Sequence, residues 1–144
     1  MATATATLST AELQRIGAAA YEGKTLYAAL CYVGTNSAAT VNSPVSTWQA
    51  FELTGSGYTR YSATVPTGSY SSTDSLYEIG SAGAGTYLSA TFTAASTGSL
   101  TFDRVALWLQ GQAALVSLIT ESEPVVIAPG QSQTVKIQLA VGSL

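Results

Sequence analysis

The chain contains no histidine at all among its 144 residues. That removes the usual general base, the commonest metal ligand and every Ser-His-Asp arrangement. A Ser-Lys dyad would need Lys24 or Lys136, and both fall in strand patterns as solvent-facing lysines. Charge is also scarce: Asp, Glu, Lys and Arg make up 9% of the residues, against about 25% in typical soluble domains. The five basic residues, Arg15, Lys24, Arg60, Arg104 and Lys136, are scattered and form no patch, so binding to a nucleic acid backbone is not expected. A single cysteine, Cys31, excludes an intrachain disulfide, and its apolar strand context suits a small buried thiol better than a nucleophile. The opening MATATATLST has neither a basic n-region nor an apolar h-region, so no secretory signal is expected and synthesis in a cytoplasm is the default.

What fills the place of charge is hydroxyl. Serine and threonine number 38, hydrophobic residues reach 47%, and the net charge is only −3. Such a chain is long enough for one sizeable core, and its surface has little electrostatic repulsion to hold copies apart. A β-rich protein with threonine on its exposed faces would have the same composition.

The longest apolar stretch is Ser99–Ile119 (SLTFDRVALWLQGQAALVSLI), where Val105–Leu109 and Ala113–Ile119 flank Gln110-Gly111-Gln112. Two short apolar runs around a glycine turn predict a central antiparallel hairpin buried on both faces. A membrane span is excluded because Asp103, Arg104 and the Gln-Gly-Gln break interrupt it. An isolated hairpin is marginal, so other strands must cover it.

Before it, Met1–Thr7 is an alternating Ala-Thr arm, and Ser9-Thr10-Ala11-Glu12 has the capping-box pattern that starts a helix over Thr10–Glu22. Gly17 interrupts that helix and Gly23 suits its end. From Lys24 the period becomes two. Strands are predicted at Lys24–Val33, Thr47–Leu53, Tyr58–Val65, Leu76–Ile79, Thr86–Ala94, Pro124–Ala128 and Thr134–Val141, with loops at Gly34–Ser46 and Pro66–Ser75. In Thr86–Ala94 the inward residues are Leu88, Ala90 and Phe92, and Pro129-Gly130 fits a type II turn. The glycines of Gly80–Gly85 do not match a phosphate-binding fingerprint. Eight to nine short strands predict an all-β antiparallel β-sandwich, jelly-roll-like or alternatively immunoglobulin-like, over residues 24–144, with the arm and short helix over 1–23.

Few residues carry site chemistry. Carboxylate pairs for glycoside hydrolysis could come only from Asp74, Asp103, Glu52, Glu78, Glu121 or Glu123. Glu121 and Glu123 share a strand face that could help hold calcium, but a polar strand end explains them as well. Trp48, Tyr58 and Tyr61 could form an aromatic platform for sugars or simply fill a core, and Arg60 between two tyrosines would suit an interface hot spot.

Four segments, in order, bear a resemblance to a known group. They are Leu26-Tyr27 in an early strand, Glu52 with Gly57-Tyr58-Thr59-Arg60, Gly98-Ser99-Leu100-Thr101-Phe102, and Ile127-Ala128-Pro129-Gly130-Gln131. Together they resemble small virion proteins of tailed bacteriophages, which include capsid decoration (cement) proteins and tail-associated β-domains. The resemblance covers most of Lys24–Val141 and excludes the arm and helix. It implies a virion protein with no catalytic residues, no cofactor and no metal.

The expectation is therefore a non-enzymatic capsid decoration protein, made in the host cytoplasm, that binds the major capsid protein or other virion proteins as a homo-oligomer, a trimer by preference. A tail, baseplate or fibre component is the rival in the same class, and a carbohydrate-binding module the rival of another. No membrane, nucleic acid or small-molecule substrate is expected. The contact residues expected are Ala2, Thr3, Ala4 and Thr5 of the arm, as a strand added to a neighbour, and Trp48, Tyr58, Arg60 and Tyr61.

Overall fold

A computed structural model describes residues 8–35, 37–72, 76–79 and 88–142. The expected arm, with Ala2, Thr3, Ala4 and Thr5, lies outside them, as does Gly80–Gly85. The fold is all-β and antiparallel, sandwich-like, with two short helices among the described residues. The described residues belong to two compact units, one drawn from Met1–Lys24, Thr64–Ser89 and Lys136–Leu144, the other from Thr25–Ala63 and Ala90–Val135. The N-terminal helix shares a compact unit with later strands. Local spacing reveals a helix but not the strands that will cover it.

In the first unit, helix α1 (Thr10–Ala20) packs on a three-stranded sheet of β3 (Ser69–Ser71), β4 (Leu76–Ile79) and β9 (Leu139–Gly142), in the order β3-β4-β9. Ser9 caps the helix, its Oγ accepting from the Glu12 amide at 3.2 Å. The reciprocal half of the capping box is replaced, because the Glu12 carboxylate pairs with Arg15 one turn on, which lowers the Glu12 pKa. β3 arises inside the stretch expected to be loop. Its Tyr70 pairs with Tyr77 of β4, cross-strand contact that a Ser-rich sequence does not advertise.

Gly17 has a packing reason to be glycine. A Cβ there would land on the ring of Tyr77, which is 1% exposed and whose hydroxyl donates to the Glu22 carboxylate. The Gly68 amide donates to the same carboxylate at 2.7 Å and to the Tyr77 hydroxyl at 3.1 Å, which fastens the hydroxyl end of the ring. Gly17→Ala should gain up to about 1 kcal/mol of helix propensity yet lose roughly 1–3 kcal/mol to overpacking. A lower denaturation midpoint in urea is the expected net result, whereas a rise would mean that the ring can move.

The second unit is built on a four-stranded sheet in the order β2-β1-β6-β7, comprising β1 (Thr25–Cys31), β2 (Tyr61–Thr64), β6 (Leu100–Leu109) and β7 (Ser117–Ile127). The central hairpin is present as β6 and β7, but its halves differ. β6 is buried along nearly its whole length, while β7 is the outer strand and is largely exposed. Ala113–Val116 lies in the connection, and the strand expected at Pro124–Ala128 is the far end of β7. β5 (Leu88–Thr93) pairs with β8 (Ser132–Ile137), and Leu88, Ala90 and Phe92 are buried as their alternation requires. Gly130 has φ +74° with the Gln131 amide bonded to the Ala128 carbonyl at 2.9 Å, the geometry of the expected type II turn. Gln138 separates β8 from β9, so the strand expected at Thr134–Val141 is broken there.

The main correction concerns Thr47–Leu53, expected as a strand. Val45–Phe51 is a helix, α2, entered from Pro44. Val45, Trp48 and Phe51 recur every third residue, while Ser46, Gln49 and Ala50 are exposed, a helical stripe and not an alternation. That stripe covers one face of the sheet, so Val45 and Trp48 meet Ala29 and Cys31 of β1 and Ala106 and Trp108 of β6. The tertiary cover decided between two periods that seven residues could not separate.

Candidate functional site

After α2 the chain runs back along the end of β1. The Tyr32 amide donates to the Phe51 carbonyl at 3.1 Å, the Leu53 amide to the Leu30 carbonyl at 3.0 Å, and Glu52 bridges Cys31. This puts the Glu52 side chain, only 11% exposed, against the segment that precedes β2. Its carboxylate accepts from Arg60 Nε at 2.9 Å, from Arg60 Nη2, and from the Tyr58 hydroxyl at 2.8 Å. The Tyr58 oxygen in turn accepts from the Leu30 amide at 3.1 Å. Two parallel N–H bonds make the Arg60–Glu52 pair bidentate, the strong form of an ion pair.

The Arg60 guanidinium also lies over two rings, 4.8 Å from the centroid of Trp108 and 5.5 Å from that of Tyr27. Tyr27 and Trp108 are register partners on β1 and β6, which sets their rings 5.8 Å apart. Tyr58 stacks on Phe92 with centroids 6.3 Å apart. Burial, then the bond to Glu52, pushes the Tyr58 hydroxyl well above its ordinary pKa, and the Glu52 bond raises that of Arg60. Both oxygens of the Glu52 carboxylate and the Tyr58 hydroxyl are engaged within the chain, and among the described residues no buried side-chain N or O atom lacks a hydrogen-bond partner. The cluster locks a corner and offers no group poised to react.

The expected contact residues are therefore dispersed in role. Trp48 is fully buried, with its Nε1 donating to the Thr40 carbonyl at 3.2 Å, so it cannot offer a surface and its assignment as a contact is corrected. Tyr58 is half-buried, its hydroxyl engaged and its ring covered by Phe92. Arg60 sits between Tyr27 and Trp108, not between Tyr58 and Tyr61. Tyr61 is half-buried in β2, where burial raises its pKa. The aromatic platform is not assembled, because β2 begins only at Tyr61 and α2 turns Trp48 inward.

Cys31 lies behind Glu52, 0% exposed, with its thiol 3.5 Å from the Trp48 carbonyl. Burial pushes the thiol up to about 12, with the charges of Glu52 and Asp103 adding to it. The folded state holds this proton where the unfolded chain has lost it, so the contribution of Cys31 to stability falls as pH rises above its ordinary value of 9.0 toward about 12. A thiol reagent at pH 8 should label Cys31 only after denaturant is added, and Cys31→Ala should flatten the alkaline loss of stability. Rapid labelling of the native protein would contradict this placement.

Asp103, which the sequence offers only as one of six carboxylates, has a structural role that sequence reasoning missed. It is 4% exposed, and its two oxygens accept from the Val33 amide at 2.9 Å and the Gly34 amide at 2.8 Å, fastening the exit of β1. A cleft of about 610 Å³ opens there, with Tyr32, Arg104, Glu121 and Ser122 in its lining. A lone Asp at the entry to an apolar strand was the available signal. Among the described residues, no three His, Cys, Asp or Glu are grouped to hold a metal, and no helix is long and apolar enough to cross a membrane. No protein-family model, curated protein or solved structure matches this chain.

Proposed function

We propose that the protein is a structural component of a tailed-bacteriophage virion, a capsid decoration protein that works by binding the outer head shell. The observation that carries this reading is the convergence of the residues that resemble that group. Tyr27 belongs to one of the four segments and Glu52, Tyr58 and Arg60 to a second, and the two meet in one polar corner. Where two of the resembling segments meet, the resemblance is one of scaffold, and a scaffold whose Glu52 and Arg60 charges pair with each other works through its surface. The exposed faces agree with this: Thr91 and Thr134 on β5 and β8 join their hydroxyls at 2.9 Å, and Thr93 and Ser132 at 2.7 Å, where other proteins place charge.

Copies assembled as a trimer across capsomer junctions would stabilise the shell by mass action, since a partner that binds only the assembled lattice shifts its disassembly to harsher conditions. Heating virions that carry or lack the protein tests this. Heads that carry it are expected to retain their DNA to a higher temperature, and equal melting would remove the decoration role. Copy number per particle then separates the head from the tail, hundreds on the one and a handful on the other.

A further inference from the structure

β7 departs from regular pairing beside Asp103. Phe102 pairs with Val125 and Arg104 with Thr120, so the single residue between the first pair faces four, residues 121–124, on β7. This wide irregularity sets the outer strand off from the sheet and, with the exit of β1, walls the cleft of about 610 Å³. Bulges concentrate beside functional sites, and the volume lies within the range of about 300–1,000 Å³ found for small-ligand sites. The segment is poorly suited to strand addition, because Pro124 removes an amide and Glu121 and Glu123 place charge on the edge.

We propose that this cleft binds a neutral saccharide. Its charged lining is one cation, Arg104, and two carboxylates, Asp103 and Glu121. An anion finds no net attraction there. A metal ion finds little either, since the Asp103 oxygens already accept two backbone amides and Oδ2 lies 3.6 Å from Arg104 Nη1. A polyol needs what remains, donors and acceptors side by side. Among the described residues, Arg104 spends one of its five N–H donors, on the Asp103 carbonyl at 3.0 Å, and the half-buried Glu121 carboxylate has no hydrogen-bond partner. Exposed hydroxyls of Thr35 and Ser122 line the same space. Tyr32, 47% exposed, supplies an aromatic ring of the kind that stacks on the C–H face of a sugar. None of these residues belongs to the Glu52–Arg60 corner, and the proposal does not depend on the virion reading.

The test is a glycan array of neutral oligosaccharides built from hexoses, N-acetylhexosamines and pentoses, probed with the intact chain, followed by calorimetric titration of the tightest binder. Saturable binding is expected, weakened about tenfold or more by Tyr32→Ala and by Glu121→Gln, and retained by Tyr32→Phe and Tyr61→Ala. Equal melting temperatures for all variants exclude loss through unfolding. An array without binding would overturn the proposal. So would binding that survives both Tyr32→Ala and Glu121→Gln, or binding that Tyr61→Ala abolishes.

Discussion

Trp48→Ala is expected to destabilise the protein by about 3–5 kcal/mol, the range for truncating a buried aromatic side chain. Trp48 is the largest fully buried side chain, and its ring fills the space between α2 and the sheet, against Cys31, Ala106 and Trp108. Its removal leaves a cavity whose walls include the backbone of β1, which cannot collapse without disturbing the β1–β6 register. The Thr40 carbonyl also loses its donor. Denaturation in guanidinium, followed by the fluorescence of the remaining Trp108, measures the loss. A surface tryptophan of the kind a contact role requires would change stability by no more than about 0.5 kcal/mol, so this variant also decides between the two assignments.

Asp103→Ala should cost about 3 kcal/mol. Two charge-assisted bonds are lost, and the Val33 and Gly34 amides are left without acceptors in a part-buried site. Asn is a poor rescue, since it keeps one acceptor and turns a donor toward the other amide. The loss should therefore persist largely in Asp103→Asn. Hydrogen exchange offers the sharper readout: the Val33 and Gly34 amides should speed up in both variants while the β1 amides around Ala28 change less. Full stability in Asp103→Asn would mean that the β1 exit is held by something other than this carboxylate.

Both predictions concern residues whose roles a single strand or helix does not display. A strand over Thr47–Leu53 would set Trp48, Ala50 and Glu52 on one face, a face that mixes apolar and charged groups. Its true neighbours on the stripe are Val45 and Phe51, and only the sheet beneath α2 makes that stripe the favoured one. Gly17 lowered the expectation of a helix, yet it is needed there because Tyr77, sixty positions on, takes the space of its side chain. Arg60 could be singled out as unusual from its tyrosine neighbours. Its actual partners, Glu52, Tyr27 and Trp108, are brought to it by strand register and by the turn after α2.

By itself the sequence determined what repeats locally: the all-β class, α1 with its Ser9 cap, the inward face of β5, the hairpin around Gly111, and the turn at Pro129-Gly130. Each is set by a period of two or of about 3.6, or by one residue's backbone freedom, and such signals lie within a few residues of one another. Tertiary structure alone decided that α2 is a helix, that β7 is the outer strand and bulges at Asp103, and that Glu52 and Arg60 close a corner. Those outcomes turn on which buried surfaces meet and which polar groups must find partners across long stretches of chain. Short apolar runs are compatible with either helix or strand until that cover is chosen.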